Sequence, residues 1–94
     1  MFENAKMYIE VCKGCGLFVR SDLTKQEMYV LSCFVKDFGC RFKTEIAFGE
    51  LDVWIVGKYA QELALNAEFA QTYLGKTVEQ VQEWIAYCNR LANK

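Results

Sequence analysis

The chain has 94 residues, of which 53% are apolar or aromatic and 24% charged, and its net charge is −1. That length suits one domain, and the composition excludes a disordered tail, a collagenous chain and a strongly basic wrapper of nucleic acid. The lack of histidine excludes every Ser–His, Cys–His and His–metal mechanism, and the lack of proline excludes folds built on a cis-proline.

Residues Ala5, Met7, Ile9 and Val11 alternate with Lys6, Tyr8, Glu10 and Cys12, the pattern of a half-buried strand. Lys13-Gly14 supplies a tight turn and Leu17 to Arg20 a short returning strand, giving a first hairpin. Thr24-Lys25-Gln26-Glu27 is a capping box, with Leu23 and Met28 placed as a hydrophobic staple. Met28, Leu31, Val35 and Phe38 then follow at helical spacing until Gly39 stops the helix. Tyr29, Val30, Cys33 and Phe34 favour a strand here, but caps and period together favour the helix. Arg41 to Phe48 alternates again, with Phe42, Thr44, Ile46 and Phe48 on one face. Gly49-Glu50 fits a two-residue turn with glycine first, and Leu51, Val53 and Ile55 mark the return strand of a second hairpin ending at Gly57.

From Lys58 to Leu74 the composition turns to Ala, Leu, Glu and Gln, which predicts one helix with a small-residue stripe, closed by Gly75. Thr77-Val78-Glu79-Gln80 is a second capping box, opening a helix whose Val78, Val81, Ile85 and Cys88, joined by Trp84 and Leu91, form an apolar face. Asn93-Lys94 should fray. No linker or internal repeat interrupts the chain. The expected fold is a single α+β domain over residues 1–94 in the order ββαββαα, two antiparallel hairpins packed against helices.

Cys12-Lys13-Gly14-Cys15-Gly16 is the one chemical motif. A Cys-x-x-Cys-Gly turn between strands looks like half of a zinc ribbon, or a rubredoxin-type knuckle, in which both thiolates reach one ion. Zinc wants four ligands, so the remainder would come from Cys33, Cys40, Cys88, a carboxylate or the same pair on a second chain. Cys33 and Cys40 on the helical reading lie roughly 10 Å apart, at 1.5 Å per residue, too far to chelate together. A thioredoxin-like use of Cys12 and Cys15 is disfavoured, because such a pair opens a helix and here a strand follows. The plainest reading leaves both as small semi-buried residues at a turn, with Cys33 and Cys88 packed on helix faces.

Other enzyme signatures are missing: Gly75-Lys76-Thr77 lacks the upstream glycine of a phosphate-binding loop and reads as a helix stop followed by a cap. Glu50 and Asp52 fit a solvated hairpin turn. Arg41 and Lys43 share a strand face with Glu45, which largely cancels their field, so nucleic-acid binding is not expected. Residues 1–47 carry a net +1 and residues 48–94 a net −2, too little to steer a partner. Aromatic residues make up 15% of the chain. Trp54 and Val56 on the second hairpin, and Tyr8 on the first, fall opposite the apolar faces of their strands. A sheet covered on one side would leave them exposed as an interface, with Trp84 on the last helix as a further contact.

The start of the chain lacks a basic leader with an apolar run, no stretch is long enough to cross a bilayer, and five cysteines, an odd number, argue against a disulfide framework. A cytoplasmic protein without membrane contact or required cofactor is expected. In profile, rather than in any motif, the chain is similar to small phage- or mobile-element-encoded inhibitors of bacterial defence, of the anti-CRISPR type. That likeness implies a non-catalytic protein-binding or regulatory module, with a protein partner or a second copy of itself as a dimer. The alternative expectation is a zinc-stabilised nucleic-acid-binding domain using the Cys12-x-x-Cys15 knuckle.

Overall fold

The computed structural model describes residues 5–12 and 14–93. Strands β1 (Ala5–Cys12) and β2 (Cys15–Val19) form the first antiparallel hairpin, and β3 (Arg41–Ala47) and β4 (Glu50–Val56) the second. The hairpins join through a parallel pairing of β1 with β4, Met7 opposite Val53 and Ile9 opposite Ile55. The result is one mixed sheet in the order β2-β1-β4-β3. In the first turn Gly14 adopts φ +81°, as a tight turn requires, while Lys13 lies outside the described residues, as does Lys94.

Helix α1 (Lys25–Asp37) opens on the expected capping box: Thr24 Oγ1 accepts from the Glu27 amide at 3.1 Å, and Glu27 Oε1 accepts from the Thr24 amide at 3.1 Å. The second box opens α4 (Val78–Ala92), between Thr77 and Gln80. Both helices bury the stripes their periods announce, Leu31 and Val35 on α1 and Val81, Ile85 and Cys88 on α4. Cys33 departs from its expected packing: it sits on the far side of α1 from Leu31 and is exposed.

Residues 58–74 are not one helix. Helix α2 (Ala60–Ala64) stops at Leu65, and Asn66 caps a new start, its side chain accepting from the Phe69 amide at 2.9 Å. Helix α3 (Ala67–Phe69) then runs into a π-helical turn (Ala70–Leu74) that ends on left-handed Gly75. Burial explains the break. At about 100° per residue, Phe69 on a continuous helix would stand roughly 120° round from Leu63. The re-phased chain buries Leu63, Ala64, Phe69, Ala70 and Tyr73 together.

All four helices contribute their buried residues to a single core built on one face of the sheet, from Ala5, Met7, Ile9, Val11, Leu17, Val19, Val53 and Ile55. The layer is off-centre. Helices α2 and α4 lie against β1, α4 and the π turn against β2, and α1 reaches β3. The other face of the sheet carries no helix among the described residues.

Candidate functional site

Two features leave the regular fold, at opposite ends of β1. At its C-terminal end the register with β2 shifts: Glu10 pairs with Gly16, but Cys12 pairs with Cys15, so Val11 is the extra residue of a β-bulge. The Val11 carbonyl accepts a hydrogen bond from the Gln61 side chain of α2, which anchors the bulge. Strict alternation would put Cys12 on the outer face with Tyr8 and Glu10. Past the bulge, Cys12 instead packs against the core, as does Cys15.

There both meet Cys88, which closes the buried stripe of α4. The Sγ atoms of Cys12, Cys15 and Cys88 all lie within 4.8 Å of one another. Burial pushes the Cys88 thiol up to about 12, with hydrogen bonding and charge from Cys15 and Cys12 adding to the effect, and burial likewise raises Cys12. Cys12 also lines an open cleft of about 420 Å³ with Glu10, Lys58, Gln61 and Glu62. Cys40, the other buried cysteine, stands apart with its thiol directed at the Phe38 carbonyl, 3.7 Å away. The structure thus joins the motif of the first hairpin to Cys88, 73 positions downstream of Cys15 and one of the cysteines named as a possible further ligand, though its spacing in an apolar helix stripe does not set it apart from the others.

At the N-terminal end of β1 the second hairpin overshoots the helices. The turn is Phe48-Gly49, one residue earlier than expected, because Ala47 pairs with Glu50 and Ile46 with Leu51. Both turn residues have positive φ, +53° at Phe48 and +77° at Gly49. Glycine accepts this readily, whereas a phenylalanine held there costs about 1 kcal/mol. Phe48 is fully exposed, Ile46 is 81% exposed and Leu51 37% exposed. Ile46 and Leu51 stand on the sheet face that elsewhere forms the core, but the helix layer ends before it reaches them.

The outer face carries the aromatic residues expected there, lying on the sheet rather than projecting from it. Trp54 stacks on Tyr8 with ring centroids 4.9 Å apart and 22° between planes, and Phe18 meets Tyr8 edge-on at 5.6 Å. The indole reaches across β1 to β2, where a Cβ on Gly16 would collide with it. Tyr8 and Trp54 are therefore half-buried, and the Trp54 Nε1 is enclosed without a hydrogen-bond partner among the described residues. Val56 is a clearer correction. It is 5% exposed, at the end of β4 where its cross-strand partner Arg41, a long side chain on the same face, stands beside it. Trp84 is on the opposite layer, 39% exposed on α4 and tilted against Tyr87 at 5.7 Å.

Two ion pairs lie on the outer face. Lys6 pairs with Glu50 at 2.7 Å and Lys43 with Glu45 at 2.9 Å, and each carboxylate holds its lysine above the ordinary value. Among the described residues no helix is long and apolar enough to cross a membrane. The chain matches no protein-family model, and neither a curated protein nor a solved structure is significantly similar to it.

Proposed function

We propose that the protein is a non-catalytic protein-binding module that docks a partner protein through the projecting end of the β3–β4 hairpin. The supporting observation is the exposure of Ile46, Phe48 and Leu51 together, at the turn end of β3, an edge strand of the sheet among the described residues. Exposed apolar side chains gathered at one end of a sheet mark surfaces where proteins meet. The positive φ of Phe48 adds to the reading, since an aromatic residue at a position that favours Asn or Gly is held against local preference. The regulatory role suggested by the sequence profile, inhibition of a host defence protein, is a task such a surface suits. A nucleic-acid partner fits less well, because Lys6 and Lys43 are neutralised in place and the Tyr8 and Trp54 rings already stack on each other.

A second copy of the chain is the other partner with a specific fit. Antiparallel pairing of β3 with its own copy about Thr44 sets Phe42 opposite Ile46 across the junction, a favourable cross-strand pair.

Phe48→Asn separates binding from folding. Asn is the preferred residue at this turn position, so the variant should be as stable as wild type or more stable by about 0.5 kcal/mol. A host protein retained by immobilised wild type should be lost with Phe48→Asn and kept with Trp84→Ala, and a dimer seen by light scattering should be lost with Ile46→Asp and kept with Trp84→Ala. Retention of the same partner by Phe48→Asn and by Ile46→Asp would refute the reading.

A further inference from the structure

We propose that Cys12, Cys15 and Cys88 form a zinc site that ties the β1–β2 turn to helix α4. The three sulfurs are within 4.8 Å of one another, so one ion can reach all three, and they come from the first hairpin and from a helix 73 residues further along the chain. The bulge at Val11 is what turns Cys12 toward the other two. Three soft donors select zinc or monovalent copper among common metals. The open cleft beside Cys12 favours zinc, because it lets water reach a fourth, oxygen position that copper(I) does not need. It also gives the ion a way in, which the fully buried side of Cys88 does not. On binding, each thiol gives its proton to solvent and the thiolate takes the ion, with no change of oxidation state.

The site stands at the other end of β1 from Ile46 and Phe48, roughly 20 Å away at about 3.3 Å per strand residue, so it stands or falls independently of the docking surface.

The test uses the whole, fully reduced protein with Co²⁺ as a spectroscopic probe and Zn²⁺ as competitor. One Co²⁺ per chain should give an intense thiolate-to-metal charge-transfer band that Zn²⁺ abolishes, and the melting temperature should climb with the logarithm of free Zn²⁺ once the site is filled. Cys12→Ser and Cys15→Ser, both half-buried, should lose the band, and Cys33→Ser should keep it. Because Cys88→Ser risks misfolding, Cys88 is read in the wild-type chain by alkylation mapped by mass spectrometry. Zn²⁺ should protect Cys12, Cys15 and Cys88 while exposed Cys33 still reacts. Absence of stoichiometric binding, binding of copper(I) alone, or protection of Cys12 and Cys15 with Cys88 left reactive would each overturn the site. So would a Cys12–Cys15 disulfide in protein purified without oxygen.

Discussion

Met7, Ile9, Val11, Leu17 and Val19 of the first hairpin are each 3% exposed or less, whereas Ile46, on the same face of the second, is 81% exposed. Both hairpins alternate in sequence, and both present apolar side chains inward. The difference lies in what stands above them. Helices α2 and α4 cover β1, and α4 with the π turn covers β2, so the layer is centred on one side of the sheet. Strand β4 is divided along its length: Val53 and Ile55 are fully buried, while Leu51, two residues closer to the turn, is at the rim. Apolar alternation therefore marks which way a side chain faces and says nothing of whether anything meets it there. On the function proposed above, that apolar and unmet face is what a partner would cover.

The widest separation between the hairpins should appear in unfolding by denaturant. Ile9→Ala empties a fully buried position and should cost about 3 kcal/mol, whereas Ile46→Ala should stay within about 0.5 kcal/mol of wild type. Equal costs at the two positions would show that the second hairpin is covered in solution.

Trp54 sharpens the contrast between the two faces of the sheet. Lying across β1 and against Gly16, it should behave as a supporting residue, with Trp54→Ala costing about 2 kcal/mol. Trp54→Phe should recover most of that loss, since it keeps a ring on Tyr8 and removes the enclosed, unpartnered Nε1–H. A Trp54→Ala variant of wild-type stability would mean that the indole projects freely.

The smallest expected effect concerns the helix layer. The Tyr73 hydroxyl on the π turn donates to the Glu27 carbonyl of α1 at 3.0 Å and is the polar tie between the two. Tyr73→Phe should lower stability by about 1 kcal/mol without altering the aromatic cluster with Phe34 and Phe69. A neutral substitution would mean that the packed rings alone hold the turn.

Much of the fold is legible in short stretches of the chain because its causes are short-range. The two capping boxes need only four residues each, and the alternation in β1 needs eight. The glycines at 39 and 75 end helices through their own φ. Local reading failed where a neighbour far along the chain intervened. Residues 58–74 have helix-forming composition throughout, yet the core demanded both Leu63 and Phe69, and Asn66 provided the break. The turn at Phe48-Gly49 shifted by one residue because the pairing of β3 with β4 outweighed the cost of a phenylalanine at positive φ. Of the candidate metal ligands, Cys12 and Cys15 announce themselves by spacing, whereas Cys88 looks like any other member of an apolar stripe.

Local chemistry thus determined the order of elements, the two hairpins, the ends of the long helices and the inward side of each strand, since each follows from contacts a few residues apart. Tertiary structure alone decided that β1 lies parallel to β4, that the helices gather over one side of the sheet, that Cys88 meets the Cys12–Cys15 turn and that Phe48 stands uncovered. Those outcomes depend on which distant surfaces bury each other best, a competition settled over the whole chain at once and written into no single segment.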